Sequence, residues 1–191
     1  MEGEVTIKDT TAGSPAAVGF YGLGFAATFA GLMNMGMIPD ALMVIAMAVM
    51  LGGFAEIFAG WQLWRKGDTF GATAFTIFGL WWFGFSYINL APLGLFNATW
   101  DAASATSLAY FTLVWGIIAT LLTLGTLKIG LKMLTVVFIV LDLTFFSLAA
   151  VFFGMTSLLT IAGIITFITG LAALYLATAL VLNAVGMKMP M

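Results

Sequence analysis

Two carboxylic acids lie in stretches of sequence that are otherwise apolar, and they are the first candidates for chemistry. They are Glu56 and Asp142, and no Lys or Arg lies at a similar depth to neutralise either acid. An ionisable group near the centre of a bilayer costs at least about 2.5–3.5 kcal/mol and usually faces the interior of a helix bundle. Because desolvation disfavours a bare carboxylate, each acid is expected to be protonated for part of the time. This predicts proton coupling or gating; the alternative is a neutral carboxyl that hydrogen-bonds a neighbouring helix.

The composition removes most other chemistry. The chain has no cysteine and no histidine, which excludes disulfides, thiol nucleophiles, histidine bases and most transition-metal sites. Two buried acids alone make a poor catalytic constellation, so we expect no enzyme and no cofactor. No basic patch is present for nucleic acid, so nucleic acid is not an expected partner.

Lipid is the solvent that this composition requires. Of the 191 residues, 63% are hydrophobic and 7% are charged, whereas a soluble domain carries roughly 25% charged residues. Six apolar stretches, each near the roughly 20 residues that a spanning helix needs, occupy residues 17–34, 41–63, 70–90, 106–127, 130–153 and 156–184. The sequence therefore predicts an all-α, polytopic membrane protein whose six transmembrane helices fill residues 17–184, between tails at 1–16 and 185–191.

The basic residues predict the orientation of these helices. Cytoplasmic segments of membrane proteins carry an excess of Lys and Arg. The six basic residues fall in the two tails, the second loop and the fourth loop: Lys8, Arg65, Lys66, Lys128, Lys132 and Lys188. We therefore expect both termini in the cytoplasm and a multi-pass location in the cell (plasma) membrane. The third loop is then external, and residues 97–99 in it match a glycosylation sequon.

A path for an anion would have to do without a cation at membrane depth. It would need helix N-termini, backbone N–H groups, water or protonation of the solute itself. Neutral polar side chains that could assist are Asn34, Gln62, Thr73, Thr76, Ser86, Asn89, Thr144 and Ser147. Glu56 lies between Gly52 and Gly60, four residues away on either side, so all three share one helix face.

A specific pattern spans the second and third apolar stretches. Residues 52–60 read GGFAEIFAG and residues 65–76 read RKGDTFGATAFT. This pattern resembles the acetate uptake transporter family, which includes the bacterial succinate–acetate permease and the yeast acetate and ammonia-export proteins. Members share the stretch GGxxQxxAG followed by GNTFGxTAF, and the resemblance runs from about residue 14 to residue 184.

The chain departs from the family pattern at two places. Glu56 stands where the bacterial relatives carry Gln. The family signature NPAPLGL is degraded to Ser14, Pro15, Ala16, Ala17, Val18, Gly19 and Phe20. A closer literal match at residues 89–95 lies after the third stretch, on the opposite side of the membrane, and we treat it as a coincidence.

The resemblance implies a fold, an assembly and an activity. It implies six helices per protomer, homo-oligomers that are hexamers, and a path for solute through each protomer. An apolar constriction in that path would contain Leu23, Phe78 and Val140, with Ala173 beside it. The implied activity is a membrane transporter or channel for acetate and other small carboxylates such as succinate, either as a proton symporter or as a passive channel.

Three alternatives stay open from the sequence. The chain could be a membrane scaffold or assembly protein that transports nothing, since composition and topology permit this equally well. It could be a channel for another small solute such as ammonium or bicarbonate. An intramembrane enzyme built on Glu56 and Asp142 is the third, and no flanking catalytic motif supports it.

Overall fold

The described residues form six long, apolar helices. The computed structural model describes residues 13–94 and 101–191, so the sequon at 97–99 and most of the N-terminal tail lie outside the described residues. The helices are α1 (Ala16–Asn34), α2 (Leu42–Arg65), α3 (Thr69–Leu90), α4 (Ala105–Ile129), α5 (Lys132–Phe152) and α6 (Leu159–Ala184). Each is long and apolar enough to span a membrane, and the described residues contain no strand. The predicted all-α fold with six spans is confirmed.

Local signals in the sequence start and stop these helices. The Asp68 carboxylate accepts a hydrogen bond from the Gly71 backbone N–H at 2.8 Å and caps the start of α3. Ser104 caps α4 in the same way through the Ser107 N–H at 3.1 Å. After α5, Gly154 adopts a φ of +109°, a conformation that L side chains rarely adopt, and it separates α5 from α6. The last two apolar stretches are therefore two helices.

The second helix contains a π-helical segment that the sequence does not signal. It covers Ala48–Ala55 and ends where Glu56 resumes the α-helix. The i→i+5 hydrogen bonding of such a segment changes the direction of the backbone groups, and π segments often mark functional sites. Here the Leu51 carbonyl lies so close to Gly22 of α1 that a Cβ at Gly22 would collide with it.

Glycines let two pairs of helices approach closely. Between α1 and α6, an added Cβ would meet the opposite helix at Gly24, Gly31, Gly163 and Gly170. Between α2 and α3, a Cβ on Gly60 would lie 2.9 Å from the Ala72 carbonyl oxygen, and one on Gly79 would lie 2.9 Å from the Gly53 carbonyl oxygen. Close backbone approach through small residues is how helices associate in lipid. These glycines therefore serve close packing between helices.

The other face of α3 is aromatic and reaches α4 and α5 through large side chains. Phe78 packs against Phe145 of α5 at 6.3 Å between ring centroids, with an interplanar angle of 18°. Trp81 stacks on Phe111 of α4 at 6.3 Å. Bulky rings hold α3 away from α4 and α5, whereas glycines draw it onto α2. The space inside the bundle consequently lies on the aromatic side of α3.

One end of the bundle carries the basic residues. The start of α1, the α2–α3 and α4–α5 turns and the C-terminal tail meet there, and we name it the basic end. Its described basic residues are Arg65, Lys66, Lys128, Lys132 and Lys188. The Lys66 ammonium donates a hydrogen bond to the Gly13 carbonyl oxygen at 2.8 Å, which ties the chain before α1 to the α2–α3 turn. That this end faces the cytoplasm stays a prediction.

The collision at Gly22 gives a test of this packing. We expect Gly22→Ala to lower the free energy of unfolding by about 1–3 kcal/mol, because the new methyl group meets rigid backbone at the π-helical segment. Thermal unfolding in detergent, followed by tryptophan fluorescence, measures the change. Gly84→Ala is the matched control within α3, since its Cβ would lie 4.0 Å from the nearest atom, the Phe111 Cζ. Equal midpoints for the two variants would contradict the tight contact between α1 and α2.

Candidate functional site

Two cavities enter the bundle from opposite ends. The cavity at the basic end has a volume of about 340 Å³. Its walls come from all six helices and include Ser14, Phe20, Glu56, Asp68, Phe75, Phe138 and Leu176. The cavity at the other end, which we name the distal cavity, has a volume of about 310 Å³. Its walls include Asn34, Trp81, Asn89, Phe111, Thr112, Thr144 and Thr169.

Three apolar side chains line both cavities and form the neck between them. They are Leu23 of α1, Phe78 of α3 and Leu141 of α5, and each is at most 7% exposed. The Phe78 ring is fixed by its contacts with Phe145 and with Phe138, whose centroid is 6.2 Å away. None of the three offers a hydrogen bond to a solute. The neck therefore has the shape and chemistry of a hydrophobic constriction, a known form of gate in pores.

The four path residues expected from the sequence occupy different places. Leu23 and Phe78 belong to the neck, on the wall that the two cavities share. Val140 is half-buried and lines neither cavity, while its neighbour Leu141 lines both. Ala173 is fully buried in α6 and lines neither cavity. Adjacent residues point about 100° apart around a helix, so sequence alone could not separate Leu141 from Val140.

Glu56 lies inside the bundle at the cavity of the basic end. It is 1% exposed, and its Oε1 accepts a hydrogen bond from the Trp82 indole N–H at 3.1 Å. Gly22 leaves room for it, because a Cβ there would lie 3.2 Å from the Glu56 Cγ. Among the cavity residues, Asp68 is the other ionisable group, and it lies at the N-terminus of α3 as that helix's cap. The carboxyl thus combines access to a cavity with a fixed hydrogen bond.

Asp142 faces a different part of the bundle. Its Oδ2 accepts a hydrogen bond from the Thr123 hydroxyl of α4 at 2.8 Å, and it lines neither cavity. Its other oxygen, Oδ1, is buried without a hydrogen-bond partner among the described residues. The two acids are therefore not brought to one site, and the described residues contain no acidic cluster that could hold a metal ion.

The neutral polar residues expected to assist a path divide into two groups. Asn34, Asn89 and Thr144 line the distal cavity, where the Thr144 and Thr169 hydroxyls lie 2.9 Å apart. The remaining five line neither cavity: Gln62, Thr73, Thr76, Ser86 and Ser147. Thr112, Thr166 and Thr169 of the distal cavity were not anticipated, although a threonine every few residues inside an apolar helix was the signal that could have found them.

The degraded signature lies at the mouth of the path. Ser14, Ala16 and Phe20 line the cavity of the basic end, and the Phe20 ring meets Phe75 edge-on at 4.9 Å between centroids. The literal match that begins at residue 89 lies at the other end of the bundle. Position in the fold therefore separates the two stretches as the sequence analysis expected.

Comparison with known proteins agrees with this architecture. Residues 2–188 match the GPR1/FUN34/yaaH family. The chain belongs to this family. A solved structure of the bacterial acetate channel SatP superposes with a TM-score of 0.88 at 36% identity, and the match covers 95% of this chain and 98% of that one. The all-helical, six-span fold is thus shared with a channel of known structure.

Several relatives in the family carry names of transporters. The succinate-acetate/proton symporter SatP of Escherichia coli strain K12 is 37% identical over 177 residues, which cover 92% of each chain. Ammonia transport outward protein 2 of Saccharomyces cerevisiae is 30% identical over 140 residues, 71% of this chain and 49% of that one. These names describe membrane transport, and none describes an enzyme.

The bond between Glu56 and Trp82 predicts an asymmetry between two substitutions. Glu56→Gln keeps an oxygen acceptor for the indole N–H, so we expect its unfolding midpoint to stay near that of the wild type. Glu56→Leu leaves a buried donor without a partner and should lower the free energy of unfolding by about 1–3 kcal/mol. Thermal unfolding in detergent compares the three proteins. A Leu variant as stable as the Gln variant would show that the bond contributes nothing to folding.

Proposed function

We propose that the protein carries acetate and related small carboxylates, such as succinate, across the cell membrane through the path inside each six-helix protomer. The observation that carries this proposal is the pair of cavities that meet at the neck of Leu23, Phe78 and Leu141. Relatives that share the fold over nearly the whole chain are a succinate-acetate/proton symporter and an acetate channel. A bundle with an internal path also argues against a purely structural scaffold.

The walls of the path suit a small acid with an apolar end. Methyl or methylene groups can pass aliphatic and phenyl side chains without loss of hydrogen bonds. A bare carboxylate has no partner in the neck, and an unpaired charge in a low dielectric is costly. Passage through the neck is therefore favoured for the protonated acid, or for an anion that keeps part of its hydration shell.

Glu56 is the group we assign to proton exchange beside the neck. Its carboxyl lines the cavity at the basic end, and Leu23 and Phe78 line the same cavity. An acid in this position can take a proton from a solute on one side of the neck or return it there. Asp142, which lines neither cavity, is assigned to packing between α4 and α5 through Thr123. The sequence left proton coupling and a neutral hydrogen-bonded carboxyl open for both acids, and we propose proton coupling for Glu56 alone.

Orientation and assembly complete the proposal. The basic end is placed in the cytoplasm, because Lys and Arg are retained on that side during insertion. The protein is proposed to form homo-oligomers, with the hexamer implied by the family resemblance. The outward face of α4 carries exposed apolar side chains that could meet lipid or another copy, among them Tyr110, Val114, Ile117, Leu121 and Leu124.

Ammonium export is the second candidate. The yeast relative named for ammonia transport matches 71% of this chain. Glu56 supports this candidate, because a carboxylate at the cavity of the basic end could pair with an ammonium ion, and the described lining of that cavity contains no Lys or Arg. Ammonium carries a positive charge, whereas acetate that moves with a proton carries no net charge, so parallel transport assays of the two solutes separate the candidates.

Uptake into proteoliposomes tests the proposed function. We expect radiolabelled acetate to enter faster with an inward proton gradient, and we expect Glu56→Gln to lose this acceleration. Asp142→Asn is the matched control: it removes an acid at similar depth, and its amide oxygen can still accept the bond from Thr123. It should keep the response to the gradient. Empty liposomes under the same gradient are subtracted, because neutral acetic acid crosses lipid unaided.

Three results would change the proposal. Acetate uptake that does not depend on the proton gradient, in either the wild type or the Glu56→Gln variant, would identify a passive acetate channel. Glu56 would then have only a packing role. Movement of ammonium with no movement of acetate would favour the second candidate. Folded protein that moves neither solute would restore the scaffold hypothesis.

The neck gives a second functional prediction. Leu141→Ala should widen the constriction and raise the uptake of propionate or lactate relative to acetate by about fivefold, a barrier lower by about 1 kcal/mol. Val140→Ala removes a similar side chain from the next residue and should leave this ratio unchanged. The ratio is measured by competition between the labelled acids in the same vesicles. A change in the Val140 variant alone would return Val140 to the path, as the family resemblance implied.

A further inference from the structure

Asp142 is an acid at membrane depth that the proposed path does not use. It is half-buried against α4 and lines neither cavity. On either side of it along α5, Ile139, Leu143 and Phe146 are exposed on the outer surface of the bundle. The carboxyl therefore lies toward that surface, where hydrocarbon offers it no hydrogen bond. Its protein neighbours must satisfy it.

The Thr123 hydroxyl of α4 lies between two acceptors. Its oxygen is 2.8 Å from Asp142 Oδ2 and 3.0 Å from the Ala119 carbonyl oxygen. A hydroxyl has one hydrogen to donate and can also accept hydrogen bonds. When Asp142 is ionised, Oδ2 and the Ala119 oxygen compete for the single Thr123 hydrogen. When Oδ2 carries a proton, Asp142 donates to Thr123 and Thr123 donates to Ala119, so both contacts become complete hydrogen bonds.

The second oxygen of Asp142 favours the same protonated form. Oδ1 is buried and has no hydrogen-bond partner among the described residues. A bare oxygen of an ionised carboxylate costs far more in a low dielectric than the carbonyl oxygen of a neutral acid. A proton on Oδ2 makes Oδ1 such a carbonyl oxygen. One proton thus removes the charge and completes the hydrogen bonds of Thr123.

No cation of the described residues compensates a charge on Asp142. The helices packed against α5 are α4 and α6. The other ionisable groups on these three helices are Tyr110, Lys128, Lys132 and Tyr175. Both lysines are exposed at the basic end, the Tyr110 ring packs on Phe153, and the Tyr175 hydroxyl donates to the Pro190 carbonyl oxygen. None of the four forms a hydrogen bond or an ion pair with Asp142.

We propose that the folded protein binds a proton at Asp142 Oδ2, which reverses the bond with Thr123 and makes it a pH-sensitive lock between α4 and α5. Loss of the proton removes the donor and leaves a charged group that only the Thr123 hydrogen can reach. The lock bears on the neck, because Leu141 is the preceding residue of α5. This proposal does not rest on the proposed function, in which Glu56 remains the group assigned to proton exchange.

Infrared spectroscopy detects the proton directly. In detergent-solubilised Glu56→Gln protein, we expect the carbonyl-stretch band of a protonated carboxylic acid, and it should move to lower frequency in heavy water. The band should vanish when Asp142→Asn is added, or Asp142→Ser where the Asn variant does not fold. Thr123→Val removes the acceptor of the proton and should shift the band. Thr120→Val is the matched control, since that exposed hydroxyl bonds within its own helix, and it should leave the band in place.

The pH dependence of unfolding measures the lock. A folded protein that holds one proton more than its unfolded chain becomes easier to unfold as the pH rises, by up to about tenfold in the unfolding constant per pH unit. We expect this rise in Glu56→Gln. Adding Asp142→Asn should remove it, because the asparagine amide can donate to Thr123 at every pH. Unfolding in mixed detergent micelles, followed by tryptophan fluorescence, compares the two proteins.

The two readouts together decide the proposal. An acid band that depends on Asp142, with a pH dependence that Asp142→Asn removes, would establish the lock. A carboxylate band from Asp142 throughout the pH range of the folded protein would overturn the bound proton. An acid band with equal pH dependence in the two proteins would overturn the lock. Neither readout requires transport, so acetate uptake tests the proposed function separately.

Discussion

Hydrocarbon cannot accept or donate a hydrogen bond, and this constraint explains most of the protein's secondary structure and hydrogen bonding. Backbone groups are satisfied inside helices, which is why the described chain is helical wherever it is apolar. Threonine hydroxyls bond to carbonyl oxygens one turn earlier in their own helices, as Thr112 and Thr166 do. The two acids at membrane depth each accept a bond from a neighbouring helix, Glu56 from Trp82 and Asp142 from Thr123. The Trp81 N–H differs from these groups, because it is buried without a hydrogen-bond partner among the described residues.

The path owes its position to the two unlike faces of α3. Glycines and alanines on one face let this helix lie directly against α2, and phenyl and indole rings on the other face hold α4 and α5 at a distance. The two cavities lie on the aromatic side, and Leu23, Phe78 and Leu141 line both of them. The π-helical segment adds to this arrangement, because it places the Leu51 carbonyl against Gly22 and sets Glu56 at the cavity.

A common fold leaves room for different transport chemistry among relatives. The bundle and its neck follow from packing that the family shares, whereas proton linkage depends on single side chains. Glu56 can exist with or without its proton, which the glutamine expected at this place by the family resemblance cannot. We therefore propose that the charge at this position, rather than the fold, sets which species of a small acid is moved.

The sequence by itself determined that lipid surrounds the protein, how many helices span the membrane and which family the chain belongs to. Apolar stretches of spanning length can be counted without knowledge of contacts, because each helix satisfies its own backbone. The same stretches could not reveal the π-helical segment, nor decide between Val140 and Leu141 at the neck, because adjacent residues of an apolar helix look alike until neighbours are known. Only the packed bundle showed that Glu56 and Asp142 face different places and that the Trp82 indole N–H, not that of Trp81, bonds to Glu56. Those properties depend on which helix lies opposite, and that is fixed by tertiary contacts rather than by local sequence.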